Sequence, residues 1–180
     1  MPPSWPIILS LVGLGASAAR AQSPQLEPAV KAAYLAKFGA YVAWPPSALP
    51  GDARPLHLCI LGRDPFGAML DRTLFGQRID QHPILVRRLS AGAASSGCHI
   101  AYLGGLPGAQ VGAAMARFGP APVLTVTDAR SSPVRGIVHF AVANGRVRFH
   151  IDEALAARSN IAISSKLLGL ALSVKQRGSP

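Results

Sequence analysis

Two imidazoles and a carboxylate stand close together in the segment from Gly136 to Asp152, a combination that transition metals and pH sensors use. Asn144-Gly145 lies between two alternating runs, the strongest short-range signal for a two-residue hairpin turn. With that loop, Ala143 faces Arg146, and counting outward pairs Val142 with Val147, Phe140 with Phe149 and Val138 with Ile151 on one apolar face. The opposite face carries Ala141 against Arg148 and His139 against His150, with Asp152 two residues further on the same side. Directly opposed residues have Cβ atoms about 5 Å apart, so His139, His150 and Asp152 form a candidate zinc or copper set. The alternative is a solvent-facing, partly cationic sheet surface on which Arg148, His150 and Asp152 meet a partner or ligand.

A second candidate is Ser164-Ser165-Lys166, two hydroxyls and an ammonium where a helix begins. Such a start can hold an anion, although helix capping alone accounts for the serines. Cys59 and Cys98 are the two cysteines. In an oxidising compartment an even pair forms a disulfide; two buried free thiols are the alternative, and the lack of a CxxC spacing argues against a metal site. Nucleophilic and metal-assisted catalysis lack their signatures: there is no Gly-x-Ser-x-Gly, no HExxH and no phosphate-binding glycine loop. Paired-carboxylate chemistry has only Asp152-Glu153 and isolated acids such as Asp64, Asp71, Asp80 and Asp128. A non-enzymatic role without a cofactor is the expectation.

The elements that position these residues alternate. Apolar spacing at Val30, Tyr34, Phe38 and Tyr41 predicts a helix from Pro28 to Ala43, closed by Trp44-Pro45-Pro46. A strand is expected at 56–62, then a short helix from Asp64-Pro65 to Leu74 with Asp64 as its cap, and strands near 84–89 and 100–103. A helix from Pro107 to Phe118 and a strand at 123–128 precede the hairpin, and a last helix is predicted from Ser164 to Gln176. Strands interleaved with helices indicate a single α/β domain, a mixed sheet flanked by helices on both faces.

Residues 7–14 are apolar, too short a run to cross a bilayer as a helix, and the small-residue ending Ala19-Arg20-Ala21 follows. This reads as a secretory signal peptide, residues 1–21, with cleavage after Ala21 or alternatively Ala18. The mature chain would have 159 residues, 17 basic against 8 acidic, a net charge of +9. It is expected to be periplasmic, without stable membrane insertion. Its arginines are scattered, only Arg87-Arg88 being adjacent, and no basic run alternates with aromatics. Nucleic acid is therefore not the expected partner.

Taken in order, Val30-Lys31-Ala32-Ala33-Tyr34-Leu35, Leu58-Cys59-Ile60-Leu61-Gly62 with Asp64-Pro65-Phe66-Gly67, Cys98-His99, Val123 to Asp128, Val147 to Asp152 and Ile163 to Leu168 resemble the YfiR family, colinearly over about residues 28–176. The resemblance implies a periplasmic α/β domain, often dimeric, that represses a membrane diguanylate cyclase by binding its periplasmic sensory region, and so controls cyclic-di-GMP and biofilm formation. A sensor kinase is the alternative partner. It also implies that Cys59 and Cys98 form the family's fold-stabilising disulfide. The second cysteine pair of the best-known member has no counterpart here, and His150 stands where an acidic residue commonly precedes the last residues of the hairpin. A competing reading is a binding module for a small anionic or aromatic ligand near Lys166 or the hairpin.

Overall fold

The computed structural model describes residues 26–178 with the exception of 50, 52 and 95; the expected signal peptide lies outside the described residues. Helix α1, Leu26–Phe38, runs into a 3₁₀ turn at Gly39–Tyr41 and the two-residue strand β1, Val42–Ala43. Strand β2 (Leu56–Gly62), helix α2 (Ala68–Leu74) and strands β3 (Arg78–Ile79) and β4 (His82–Leu89) follow. Then come β5 (Ile100–Gly105), α3 (Gly108–Phe118), β6 (Leu124–Asp128) and the hairpin of β7 (Val138–Ala143) and β8 (Arg146–Asp152). The chain closes with α4 (Glu153–Arg158), β9 (Ala162–Ile163), α5 (Ser165–Leu168) and β10 (Ser173–Lys175).

The main sheet has eight strands in the order β10-β8-β7-β6-β5-β2-β4-β3, while β1 pairs with β9 apart from it. Its middle, β4-β2-β5-β6-β7, is parallel, and antiparallel pairs join β3 to β4 and β7 to β8. Parallel strands are buried on both faces, which is why β2 reads as a mostly apolar run and why β6, Leu-Thr-Val-Thr-Asp, is buried at every residue. Alternation along β2 sends Leu58 and Ile60 into a core with α1 and α2, and Cys59 and Leu61 into a second core with Val111, Ala114 and Phe118 of α3. Helices on both faces of a mixed sheet are thus the architecture that the alternation predicts.

The hairpin register agrees residue for residue, with His139 opposite His150 and Ala143 opposite Arg146. Asn144 and Gly145 both have positive φ, 51° and 69°, the turn geometry that favours this dipeptide. Cys59 and Cys98 form a disulfide, Cα atoms 5.8 Å apart. It fastens β2 to the residues leading into β5.

Four expectations are corrected. The helix predicted over 28–43 ends at Phe38, because Val42-Ala43 finds strand partners in Ile163 and Ala162. Its buried stripe is Lys31, Ala32, Leu35, Ala36 and Phe38, rotated from the Val30-Tyr34 line. Asp64 does not cap α2: its Oδ1 accepts from Phe66 N at 2.7 Å in a local turn, and the helix begins four residues later, after Gly67. The helix predicted over 164–176 is a single turn, Ser165–Leu168. Beyond it, Ser173–Lys175 pairs parallel with His150–Asp152, because the open edge of β8 offers hydrogen bonds that outweigh a weak amphipathic preference. Leu170, assigned to the buried face of that helix, is 57% exposed.

Candidate functional site

The hairpin face brings the two histidines together but does not place them in solvent. His139 is buried, with Nδ1 2.8 Å from Thr127 Oγ1. His150 is half-buried, its Nδ1 2.7 Å from Ser173 Oγ. The ring centroids are 6.3 Å apart. Burial, followed by the positive charge of Arg135, holds both imidazoles below the ordinary histidine range. The expectation of a solvent-facing cationic surface therefore fails at His139, because β6 and its Thr127 cover that ring.

Asp152 is committed elsewhere. Its Oδ1 accepts from Leu155 N at 2.7 Å and caps α4, while Oδ2 accepts from Lys175 Nζ at 3.0 Å. No group of three His, Cys, Asp or Glu side chains among the described residues is arranged to hold a metal ion. Ser164 likewise serves as a cap, its Oγ 3.4 Å from Leu167 N, and Ser165 and Lys166 are exposed on a one-turn helix. No hydrogen bond or ion pair joins this group to the hairpin histidines among the described residues. The two clusters proposed from sequence are separate places.

Around them lies exposed apolar surface. Val142 is 42% exposed, Leu170 57% and Leu172 43%. Leu172 is tied to β8 through its N–H, which donates to Phe149 O at 2.7 Å. Arg146 is exposed and Arg148 half-buried on the same hairpin. The register puts Val142 on the Val147 and Phe149 face of the hairpin and Arg146 and Arg148 on the opposite face, so apolar side chains and arginine are exposed here on different sides of the sheet.

A third constellation is absent from the sequence-based candidates. Lys31 is nearly fully buried, and its Nζ donates to Glu27 Oε1 and to Asp128 Oδ2, each at 2.6 Å. Asp128, at the carboxyl end of β6, also accepts from Tyr102 OH at 3.0 Å and from Arg130 N at 3.0 Å. The Arg130 guanidinium grips Glu27 with Nε at 3.2 Å and Nη2 at 2.8 Å. Arg130 holds the Glu27 carboxyl below the usual range, while burial and the Asp128 charge push the Tyr102 phenol upward. One signal was available: Lys31 lies four and seven residues before Leu35 and Phe38, on the stripe that the helix buries, and Asp128 ends a strand rich in β-forming residues.

The family-model comparison matches residues 28–172 to the YfiR/HmsC-like family. No curated protein matches the chain. The match extends over most of the sequence, and the chain belongs to the YfiR/HmsC-like family.

Proposed function

We propose that this protein is a periplasmic regulator that binds the extracytoplasmic domain of an inner-membrane signalling enzyme, in the first place a diguanylate cyclase, and restrains it. Family membership over residues 28–172 carries this reading. The disulfide suits an oxidising compartment, and no helix among the described residues is long and apolar enough to cross a membrane. Restraint requires differential binding: the regulator holds the partner inactive to the extent that it binds that conformation more tightly. The exposed Val142, Leu170 and Leu172 are the side chains assigned to that contact, exposed apolar groups being what interface centres bury.

The test is binding of residues 22–180, with the disulfide formed, to the purified periplasmic domain of the diguanylate cyclase encoded nearest to it. Saturable binding at about 1 μM or tighter is expected, weakened by Leu172→Asp while the melting temperature holds. Absence of binding to that domain and to the nearest sensor kinase would reject the regulator reading.

A further inference from the structure

The order of strands reverses once within the parallel part of the sheet. From β2 the chain crosses through α2 to β4 on one side, and from β5 it crosses through α3 to β6 on the other. The two helices belong to opposite cores, so beyond the paired ends of β2 and β5, Gly62 opposite Gly105, the chain leaves to opposite faces and a crevice lies outside the strand ends. In open α/β sheets such a crevice is where ligands bind.

A cavity of about 200 Å³ occupies this place, bounded by Gly104 and Gly105 at the end of β5, Arg63 just beyond β2, Asp128 at the end of β6, and Lys31 of α1. At about 30 Å³ per water it holds roughly seven waters, room for a compact organic molecule and too little for a nucleotide. Its charges are three cations, Lys31, Arg63 and Arg130, against two carboxylates, Glu27 and Asp128. Lys31 and Arg130 are spent on those carboxylates. Arg63 is exposed and makes no ion pair among the described residues. One wall is apolar: Phe66 is buried and meets the Tyr102 ring edge-on, centroids 5.0 Å apart.

The larger cleft, about 710 Å³ at the opposite end of β5, also carries one cation, Arg117, but that guanidinium donates to Ala91 O at 2.9 Å, and the cleft's His99 Nε2 lies 3.1 Å from Ala48 O. The crevice, and not this cleft, joins a topological switch point, a guanidinium with no hydrogen-bond partner among the described residues and an aromatic wall.

We propose that this crevice binds a small organic monocarboxylate, its carboxylate on Arg63 and its apolar part against Phe66. A single surplus positive charge suits a monoanion, and a dianionic phosphate would add a second negative charge beside the buried Asp128 and half-buried Glu27 carboxylates. The planar guanidinium also matches a carboxylate's two oxygens. The site rests on its own geometry and is independent of the regulator reading.

The experiment is titration calorimetry of the purified protein, no partner present, with benzoate, neutral benzamide, benzylamine and inorganic phosphate as probes. Saturable benzoate binding at about 1 mM or tighter is expected. Benzamide and benzylamine should bind at least about tenfold more weakly, the scale of one charge-assisted hydrogen bond. Arg63→Ala should weaken benzoate by a similar factor and Arg63→Lys by less, with the melting temperature unchanged because Arg63 is exposed. Arg146→Ala at the hairpin tip should have no effect. Chemical-shift changes on benzoate addition should centre on Gly104, Gly105 and Tyr102. No saturable benzoate binding, binding indifferent to Arg63→Ala, or tighter binding of phosphate than of benzoate would each overturn the proposal.

Discussion

Replacing Lys31 by methionine removes the one cation among the described residues whose charged group touches both Glu27 and Asp128. The two side chains of the Lys31–Asp128 pair are 5% and 3% exposed, so bulk solvent compensates the lost charge poorly. Tyr102 OH and Arg130 N still donate to Asp128, and Arg130 still holds Glu27, but neither brings a formal charge into contact with the Asp128 carboxylate. Breaking a buried pair from one side costs about 3–5 kcal/mol. For a domain of this size each kcal/mol moves the melting temperature by about 2–4 °C, so Lys31→Met should melt about 6–20 °C below the parent. Asp128→Asn combined with Lys31→Met leaves no unpaired charge at that position, and the cycle of four proteins should give a coupling above about 1 kcal/mol. The assay is urea unfolding followed by circular dichroism, with thermal melts alongside. If Lys31→Met costs under about 1 kcal/mol, or the double variant is simply the sum of the singles, the pair does not anchor α1 to the sheet.

Three further outcomes follow from the same structure. Cys59→Ala with Cys98→Ala opens a loop whose ends are 39 residues apart, for which the chain-entropy model gives about 4 kcal/mol; urea unfolding that differs from the parent by under about 1 kcal/mol would contradict it. Asp152→Ala removes the cap of α4 and should lower stability by about 1 kcal/mol, with Asp152→Asn retaining most of it because asparagine also caps; equal losses in the two variants would place the effect in the Lys175 ion pair instead. His139 and His150 are held below the ordinary histidine value of 6.5, so the unfolded chain binds more protons there. The stability they contribute is fully present above that value and is lost as pH falls toward their folded values. His139→Asn should flatten the fall in unfolding free energy as pH drops below about 6.5, and an unchanged slope would show that burial of this ring is not its source.

Much of the fold is legible because its signals are local. Asn144-Gly145 sets the hairpin and its register, and the apolar run of β2 marks a strand buried on both faces. The failures are also physical. Ser164 to Gln176 carries a helical pattern too weak to compete with a free strand edge on β8, whose position no local signal reports. His139 looks like a surface residue from the alternation of β7, and becomes buried only because β6 lies beside it with Thr127 facing the ring. The crevice network is hidden for the same reason: Lys31 and Asp128 are unremarkable charges until α1 is laid across the carboxyl ends of the parallel strands.

The distance between those two residues along the chain has a consequence for how the protein comes into being. Synthesis runs from the amino terminus, so α1 is made early with a lysine on its apolar side, and the carboxylate that neutralises it arrives 97 residues later. Until β6 is in place, Lys31 favours contact with water or with Glu27 one turn away, and α1 gains little from burying its stripe. Docking of α1 on the sheet is thereby coupled to the presence of β6.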